Sequence, residues 1–332
     1  MTIKLSNISK KLLNSVKKIE PGLAEMICYQ LFDDKENNIA EKNINTYHPE
    51  ISIGLKLTNI LSEESDLIKL EIGLCSLYLF KSGLSIHEEI GAGTPNINNK
   101  DTLWWKWGPA QAINAGDCLY SMSRLMILEE NNLNDHTKIN LLQKFDLLSN
   151  SMFKGKFLEL KNSEDYKINL SDVIDTNSLR EISVFQYVAE LFDKPSDNLN
   201  LINIFKNIGD LYVLKNHLKG FNRLADSLNI NQTFSQLENE ILNKKKIFPI
   251  SYLFDEYKDS LEHKKKLGTI YMKRMIEFED MKYLNELFYS SESSNAYEIK
   301  IKKLSQEIIN NLHKIDNQSS DLKSHLHEIQ LL

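Results

Sequence analysis

Residues 87–120 read HEEIGAGTPNINNKDTLWWKWGPAQAINAGDCLY, and this stretch decides how the rest of the sequence is interpreted. It follows an apolar helical segment and begins with a histidine and two adjacent carboxylates, Glu88 and Glu89. Gly91 and Pro95 then predict a break, because glycine tolerates many backbone angles and proline cannot continue a helix. The two acidic side chains are therefore expected at the end of a helix.

Past the break lies an aromatic segment that contains every tryptophan of the chain, Trp104, Trp105 and Trp107. A helical run through Asn114 and Asp117 follows, and its spacing places these two side chains on one face. Carboxylates at a helix end beside an aromatic wall can hold a divalent cation and an anionic ligand next to an apolar cavity. The stretch therefore predicts a ligand site.

Further from this stretch, the chain has the composition of a helical protein. Its 332 residues include only 12 glycines and 6 prolines, and 42% are hydrophobic, which is ample for a sizeable core. No segment rich in proline, glycine or serine divides the chain, so we expect a single all-α domain over 1–332. Within it we place N-terminal helices at 1–50, a bundle core at 51–260 and C-terminal helices at 261–332.

Charge and targeting signals exclude several function classes. A net charge of −6 is unfavourable for binding nucleic acid. No stretch approaches the ~18 apolar residues of a transmembrane segment, and the basic N-terminus lacks the apolar part of a secretion signal. The three cysteines lie in apolar helical patterns without metal-binding spacing, so we expect reduced thiols in a cytoplasmic protein.

Apolar periodicity predicts most of the helices. Residues 5–32 repeat apolar side chains at helical intervals, and Pro21 predicts a bend or a helix pair there. Residues 33–47 are polar and are interpreted as a loop. Further helices are expected at 109–128 and 199–228.

The hexapeptide AINAGD at 112–117, in this spacing after HEEI, resembles a specific motif of the trans-isoprenyl diphosphate synthases, also called polyprenyl synthetases. Members of that family read roughly HDDIxD, then RRGxPT, then WG-x-AxAINAGDxL. The likeness is strong over 84–124 and weaker elsewhere. It implies an all-α, single-domain orthogonal helix bundle of the isoprenyl diphosphate synthase or class I terpene synthase type, built around a central cavity.

The resemblance also implies Mg²⁺, which the family binds with two aspartate-rich motifs. Glu88 and Glu89 stand at the first motif. The second, FQ-x-x-DD-x-x-D, corresponds to FNRLADSLN at 221–229, where Asp226 is the carboxylate that remains and Asn229 stands at the last aspartate. The expected metal ligands are therefore Glu88, Glu89, Asp226 and Asn229.

Two cations match family positions that neutralise the allylic diphosphate. Arg180 stands where a KT motif supplies a lysine, and Lys245 stands at the lysine of a GK-x-T-x-P element. Gly155 and Lys156 occupy the place of a Gly-Gln pair. The resemblance therefore implies a catalytic set of Glu88, Glu89, Asp226, Arg180 and Lys245.

The positions that bind the family's second substrate, isopentenyl diphosphate, have lost most of their expected cations. His48 replaces an arginine, Lys81 replaces a histidine, and Ile97 and Asn98 replace paired arginines. Candidate substrate-binding side chains, drawn from these positions, the second motif and the aromatic residues, are Lys81, His48, Phe221, Asn222, Trp104 and Tyr78.

The sequence thus keeps cations at the positions for the allylic diphosphate and lacks most of them at the positions for isopentenyl diphosphate. This difference favours an enzyme that ionises an allylic prenyl diphosphate and lets the cation cyclise or capture water, as a terpene synthase does. Two alternatives stay open: a prenyltransferase that elongates the allylic diphosphate with isopentenyl diphosphate, and a non-catalytic regulatory subunit of such a synthase. Both enzymatic hypotheses require a divalent cation at Glu88 and Glu89. We expect a homodimer, or a heterodimer with an active synthase in the subunit case.

Overall fold

A computed structural model of the protein describes residues 3–32, 37–61, 66–97, 99–165, 169–192, 198–226, 234–313 and 319–332. Within these ranges the fold is almost entirely helical, which confirms the all-α prediction. The sheet described there is a short antiparallel pair of strands, β1 at Asn96–Ile97 and β2 at Lys100–Asp101.

The helices follow one another with short connections. The first half of the fold is built from α1 Leu5–Val16, α2 Pro21–Leu31, α3 Glu41–Tyr47, α4 Pro49–Leu61, α5 Leu67–Ala92, α6 Leu103–Trp107, α7 Pro109–Leu128 and α8 Asp135–Glu164. The second half is built from α9 Leu170–Asn177, α10 Ser183–Glu190, α11 Asn198–Ala225, α12 Gln236–Leu242, α13 Phe248–Glu256, α14 Leu261–Met272, α15 Phe278–Ser290, α16 Glu292–Leu312 and α17 Ser319–Glu328. A π-helical turn at Ser178–Ile182 joins α9 to α10.

Helices α5 and α7 cross closely at the centre of the first half. On α7, the small residues Ala112 and Gly116 are buried. A side chain at Gly116 would collide with the His87 ring, and a Cβ at Gly83 would lie 2.8 Å from the Gly116 carbonyl oxygen. His87 Nε2 also lies 3.5 Å from Asp117 Oδ1. The AINAGD hexapeptide is therefore a small-residue face that lets α7 pack on α5, with the histidine of the first motif seated on it.

Two glycines define the break between these helices. Gly93, at φ 64°, takes the left-handed backbone that ends α5, and Gly108, at φ 87°, precedes α7. Pro109 is the first residue of α7, a position where its missing N–H is not needed. The break predicted after Glu89 is confirmed, and it holds both carboxylates in the last two turns of α5.

In the second half, α11 is the central helix and packs against α10, α15 and α16. The buried apolar side chains of both halves belong to a hydrophobic cluster that extends from Ile3 to Leu331. α12 and α13 lie beside this core, and α12 reaches back to contact α5. This contact brings a late segment of the chain to the acidic end of α5.

The N-terminal expectations are confirmed in part. Pro21 begins α2, so residues 5–32 form a helix pair as expected. The loop expected at 33–47 is wrong in its second part, because α3 occupies residues 41–47, while residues 33–36 lie outside the described ranges. Ile44 of α3 is buried in the core, and such tertiary packing stabilises a short helix that propensity alone would not.

None of the helices in the described ranges has the length and apolarity needed to cross a membrane. The three cysteines carry free thiols. Cys75 is fully buried, and burial raises the pKa of its thiol well above the ordinary value. This thiol therefore behaves as a small core side chain.

Candidate active site

A cavity of about 330 Å³ lies between α5, α8 and α12. Its polar end is lined by three carboxylates and three cations, Glu88, Lys156, Glu159, Arg180, Glu240 and Lys245. Its apolar part is lined by Leu84, Ala92, Met152, Phe153 and Leu160. The volume is at the lower end of the range of small-molecule sites, about 300–1,000 Å³. The lining suits a ligand with a charged head and a hydrocarbon chain.

Glu88 points into the polar end from the last turns of α5. Arg180 Nη2 donates a hydrogen bond to Glu88 Oε1, and Gln236 Nε2 donates to Oε2 at 2.6 Å. Burial raises the pKa of Glu88, although the Arg180 guanidinium opposes that rise. The carboxylate is therefore incompletely compensated by its neighbours.

Arg180 reaches the cavity from the π-helical turn, a local widening of the helix that is frequent at functional sites. Gly155 on α8 makes room for it, because a Cβ there would lie 2.5 Å from Arg180 Cγ. The guanidinium contacts Glu88 and lies 2.5 Å from Glu159 Oε2. Burial alone would lower the pKa of Arg180, but these carboxylates raise it above the ordinary value. Arg180 is therefore a permanent buried charge.

Lys245 and Lys156 complete the network. Lys245 Nζ lies 2.6 Å from Glu240 Oε2 and 3.1 Å from Glu159 Oε2. Lys156 Nζ, one turn before Glu159 on α8, lies 2.6 Å from Glu159 Oε1. It also lies 3.9 Å from Glu240 Oε1 and 4.0 Å from Glu88 Oε1. The formal charges of the cavity wall therefore cancel.

The network is held by mutual pairing. Burial alone would raise the pKa values of Glu159 and Glu240, but Lys245, Arg180 and Lys156 together outweigh burial and lower both. Burial alone would likewise lower the pKa of Lys245, and the two carboxylates raise it instead. Loss of one partner from such a buried group costs about 3–5 kcal/mol, because a charge is left unpaired. The network thus joins α5, α8, the π-helical turn and the α12 segment.

Glu89 is buried next to Glu88 and is only partly satisfied. Ser85 Oγ donates to Glu89 Oε1 at 3.0 Å, whereas Oε2 has no hydrogen-bond partner among the described residues. Burial raises the pKa of Glu89 to about 7. Ser85 Oγ also lies 3.2 Å from Gln236 Oε1, so Gln236 links the surroundings of the two glutamates. Glu89 Oε2 is therefore a buried acceptor without a hydrogen bond, and Glu89 is not among the described residues that line the cavity.

The residues of the second motif lie in the packing of α11 against α15. Phe221 is fully buried, with its ring centroid 5.7 Å from that of Phe288. Asn222 Nδ2 donates to the Tyr289 hydroxyl at 2.8 Å, and Asn285 Nδ2 donates to Asn222 Oδ1 at 2.9 Å. These contacts stabilise the helix pair and engage the amide of Asn222 away from the cavity.

Asp226 follows the end of α11 and is exposed, and Asn229 lies outside the described residues. Neither Phe221 nor Asn222 nor Asp226 is among the described residues that line the cavity. In the described part of the chain, no three acidic, histidine or cysteine side chains are grouped to hold a metal ion. The structure therefore brings Glu88 together with Arg180 and Lys245, and leaves the described second-motif residues elsewhere.

His48, Lys81 and Tyr78 form a separate group around Glu50. Lys81 Nζ lies 2.7 Å from Glu50 Oε1, and His48 Nδ1 lies 3.6 Å from the same oxygen. The His48 and Tyr78 rings meet edge to face, with centroids 5.0 Å apart. Burial alone would raise the pKa of Glu50, but Lys81 and His48 lower it to about 2. The charge of Lys81 is therefore neutralised inside the protein.

Trp104 supports the break after α5. Its Nε1 donates to the Thr94 carbonyl oxygen at 2.8 Å, and its ring packs against Trp105 with centroids 5.6 Å apart. It is half-buried and is not among the described residues that line the cavity. This indole therefore binds the loop through its N–H and packs against Trp105 and the edge of the core.

Three polar residues of the site were missed by the sequence reasoning: Glu159, Glu240 and Gln236. Glu159 carried a signal, because it follows Lys156 by three residues and such pairs meet on one helix face. Glu240 and Gln236 lie in a polar helix whose pattern does not set them apart. Glu240 reaches the cavity and Gln236 reaches Glu88 only because α12 packs against α5.

Comparison with solved structures finds this fold in prenyl diphosphate synthases. The polyprenyl synthetase from Streptomyces coelicolor A3(2) matches with a TM-score of 0.73 and 13% identity, over 98% of this chain and 99% of that chain. The geranylgeranyl pyrophosphate synthetase from Pyrococcus horikoshii Ot3 matches with a TM-score of 0.74 and 15% identity, over 97% and 94%. The polyprenyl synthase from Caulobacter crescentus CB15, solved in complex with calcium and isoprenyl diphosphate, matches with a TM-score of 0.69 and 12% identity, over 97% and 95%.

These matches confirm the predicted fold class, since this chain has the isoprenyl diphosphate synthase fold from end to end. No protein-family model and no curated protein sequence matches the chain. The sequence has therefore diverged far more than the helical framework.

Proposed function

We propose that this protein acts on an allylic prenyl diphosphate as a prenyltransferase. The observation that carries the proposal is the cavity, in which Lys156, Arg180 and Lys245 gather at one end of an apolar lining. Hydrogen bonds from such cations to phosphate oxygens are each worth about 1.5–3 kcal/mol. The fold shared with solved prenyl diphosphate synthases supports the same substrate class.

Arg180 and Lys245 are suited to stabilise the leaving diphosphate. Glu159 contacts both of them and fixes their donors before a ligand arrives. Donors held in place in this way favour the negative charge that develops as the allylic carbon–oxygen bond breaks. The apolar side chains of the cavity then lie along the hydrocarbon chain of the allylic cation.

Glu88 and Glu89 are suited to a divalent cation, of which Mg²⁺ is the expected one. The charge of Glu88 is incompletely compensated, and Glu89 Oε2 has no partner among the described residues. In phosphate-binding sites, Mg²⁺ is held by one or two carboxylates together with substrate phosphates and water. When bound there, the ion would neutralise charge on the leaving diphosphate. Glu88 can hold the ion from the cavity wall, whereas Glu89 is not among the described residues that line the cavity and would join it only after its side chain turns.

A second candidate function is ionisation of the allylic diphosphate followed by cyclisation or water capture. The Lys81–Glu50 pair favours it, because the cation at the position expected for isopentenyl diphosphate already has a buried carboxylate partner. A reaction without isopentenyl diphosphate needs no such cation. Prenyl transfer requires that Lys81 release Glu50 or that another group bind the second diphosphate.

The proposal also includes a dimer formed through α7 and α8. Large exposed apolar side chains concentrate there, at Ile113, Leu125 and Leu128 on α7 and at Ile139, Leu147, Phe153, Phe157 and Leu160 on α8. Exposed apolar surface of this extent marks an interaction site. A second copy of this chain is the proposed occupant, with an active synthase as the occupant for the regulatory-subunit hypothesis. Phe157→Glu should shift the sedimentation coefficient from dimer to monomer, and a native monomer would contradict the proposed dimer.

The deciding experiment is incubation with Mg²⁺ and geranyl, farnesyl or geranylgeranyl diphosphate, with and without isopentenyl diphosphate. Longer diphosphates that form only with isopentenyl diphosphate support prenyl transfer. Hydrocarbons or alcohols that form without it support the second candidate. If the folded protein forms no product under any of these conditions, both enzymatic functions are contradicted and the regulatory-subunit hypothesis remains.

Glu88→Gln tests the site under either reaction, because it keeps the side-chain shape and removes the charge. We expect turnover to fall by about 100-fold or more, since a metal-binding carboxylate contributes several kcal/mol to the transition state. Glu129→Gln, at an exposed surface pair with Lys18, is the control and should keep native turnover. Undiminished turnover in Glu88→Gln would remove this carboxylate from the mechanism.

A further inference from the structure

Lys156 is the cation of the cavity with the greatest freedom to move. Its side chain is 29% exposed, compared with 5% for Arg180 and 10% for Lys245. Arg180 and Lys245 each have two carboxylates within 3.1 Å, whereas Lys156 has one, Glu159 at 2.6 Å, and its other acidic neighbours, Glu240 and Glu88, lie at 3.9 and 4.0 Å. The flexible four-carbon stem of a lysine allows its ammonium group to leave one partner for another.

The charge balance of the cavity also favours Lys156 as the group that moves. The wall carries three carboxylates and three cations, so an entering diphosphate adds negative charge, and the cation that can turn towards it at least cost is one not held closely between two acids. When Lys156 leaves Glu159, that carboxylate still contacts Arg180 at 2.5 Å and Lys245 at 3.1 Å. The move therefore strands no buried charge, which is the usual penalty for breaking such a pair.

We propose that Lys156 is a substrate-binding residue that exchanges Glu159 for a phosphate group of the prenyl diphosphate, while Arg180 and Lys245 stay in place. This inference rests on the proposed substrate class. It assigns a ligand contact to a position where members of the family that this chain resembles carry glutamine. The positive charge of Lys156 is therefore a feature that distinguishes this chain from them. The exchange is a change of ion-pair partner and involves no covalent step.

The test is isothermal titration calorimetry of the full chain with inorganic pyrophosphate at a fixed Mg²⁺ concentration. Lys156→Gln keeps most of the side-chain length and removes the positive charge, so it should weaken pyrophosphate binding by about tenfold or more. Lys156→Arg keeps the charge and should bind within about threefold of the native protein. Lys154→Gln, exposed on the same helix and absent from the described cavity lining, is the matched control and should bind as the native protein does.

A double-mutant cycle separates ligand contact from simple neutralisation of Glu159. If Lys156 binds the phosphate, the loss caused by Lys156→Gln persists in a Glu159→Gln background. If Lys156 only neutralises Glu159, that loss disappears in the Glu159→Gln background, and the inference is overturned. Native-like affinity in folded Lys156→Gln also overturns it. A native protein that binds neither pyrophosphate nor geranyl diphosphate instead overturns the proposed function, and this inference with it.

Discussion

Two groups of buried charge in this protein invite comparison, the cavity network and the Lys81–Glu50 group. Both lie where the sequence resemblance expects diphosphate contacts. In the cavity, Lys156 can leave Glu159 because two other cations stay on that carboxylate. In the other group, departure of Lys81 would leave Glu50, which is 1% exposed, with the His48 ring at 3.6 Å as its remaining ion-pair partner among the described residues. A cation can change its partner for a ligand at little cost only when its release leaves no acid stranded.

The largest expected effect comes from the centre of the cavity network. Arg180→Met removes the guanidinium shared by Glu88 and Glu159. We expect the free energy of unfolding to fall by about 3–5 kcal/mol, because both carboxylates lose their shared partner in a buried site. Urea denaturation followed by circular dichroism measures this loss.

The control for that change is a surface pair. Lys258→Met breaks the exposed contact with Asp255 at 3.4 Å, where both side chains are more than half exposed. Its loss should be below about 1 kcal/mol, because water replaces the partner. Equal losses of unfolding free energy in Arg180→Met and Lys258→Met would mean that burial does not strengthen the ion pairs of the cavity network.

The second group has a pH-dependent signature. The pKa of Glu50 is lowered from 4.5 to about 2 in the folded protein. Glu50 therefore contributes stability that is fully present above about pH 4.5 and is lost as pH falls towards 2, because the unfolded state takes up its proton first. Glu50→Gln should reduce the free energy of unfolding at pH 7 by about 3 kcal/mol, and the difference from native should shrink below pH 4.

The same variant sharpens the choice between the two candidate reactions. Glu50→Gln releases Lys81 from its carboxylate partner, so isopentenyl diphosphate should bind more tightly if this group belongs to the acceptor site. Equilibrium binding of isopentenyl diphosphate to native and Glu50→Gln protein measures the change. Absence of binding in both favours cyclisation or water capture, and the exposed substitution Glu129→Gln again serves as the control.

A smaller effect is expected at Gly155, where α8 makes room for Arg180. A Cβ there would lie 2.5 Å from Arg180 Cγ, so Gly155→Ala should displace the arginine and destabilise the fold by about 1–2 kcal/mol. Turnover should fall with it. Gly268→Ala on α14 meets no atom within 4 Å and should instead stabilise its helix by up to about 1 kcal/mol. Thermal unfolding and turnover of both variants measure the contrast.

The smallest effect is expected at Asp226. This residue is exposed and is not among the described residues that line the cavity, so Asp226→Asn should change the unfolding free energy by less than about 0.5 kcal/mol. Turnover should stay within about twofold of native. A loss comparable to that of Glu88→Gln would show that Asp226 reaches the substrate during the reaction.

The sequence predicted those parts of the fold whose signals are local. α7 covers residues 109–128 as expected, since Gly108 and Pro109 mark its start in the sequence itself. The fold class was implied by the family resemblance that the hexapeptide AINAGD carries, and the structure shows its small residues packed closely on α5. By contrast, α3 was missed because Ile39 and Ile44 are isolated apolar residues in a polar segment, and their burial depends on distant residues.

The site was predictable only for side chains that a motif marks. Glu88, Arg180 and Lys245 were named from the sequence, and the structure places them in one network. Glu240 lies far from α5 in sequence, and its role depends on how α12 packs, which no local pattern encodes. Phe221 and Asn222 match motif letters, yet their observed contacts are with α15, because the identity of a residue does not fix the direction of the helix that carries it.

Helix α8 has one edge on the cavity and the other on the exposed apolar face. Phe153 and Leu160 line the cavity and are nevertheless 46% and 55% exposed. Along this edge a single layer of side chains separates the hydrocarbon compartment from the outside. A surface that packs on α8 therefore forms the outer wall of that compartment. A change in this surface would alter the shape available to the prenyl chain, although no charged residue of the cavity is changed.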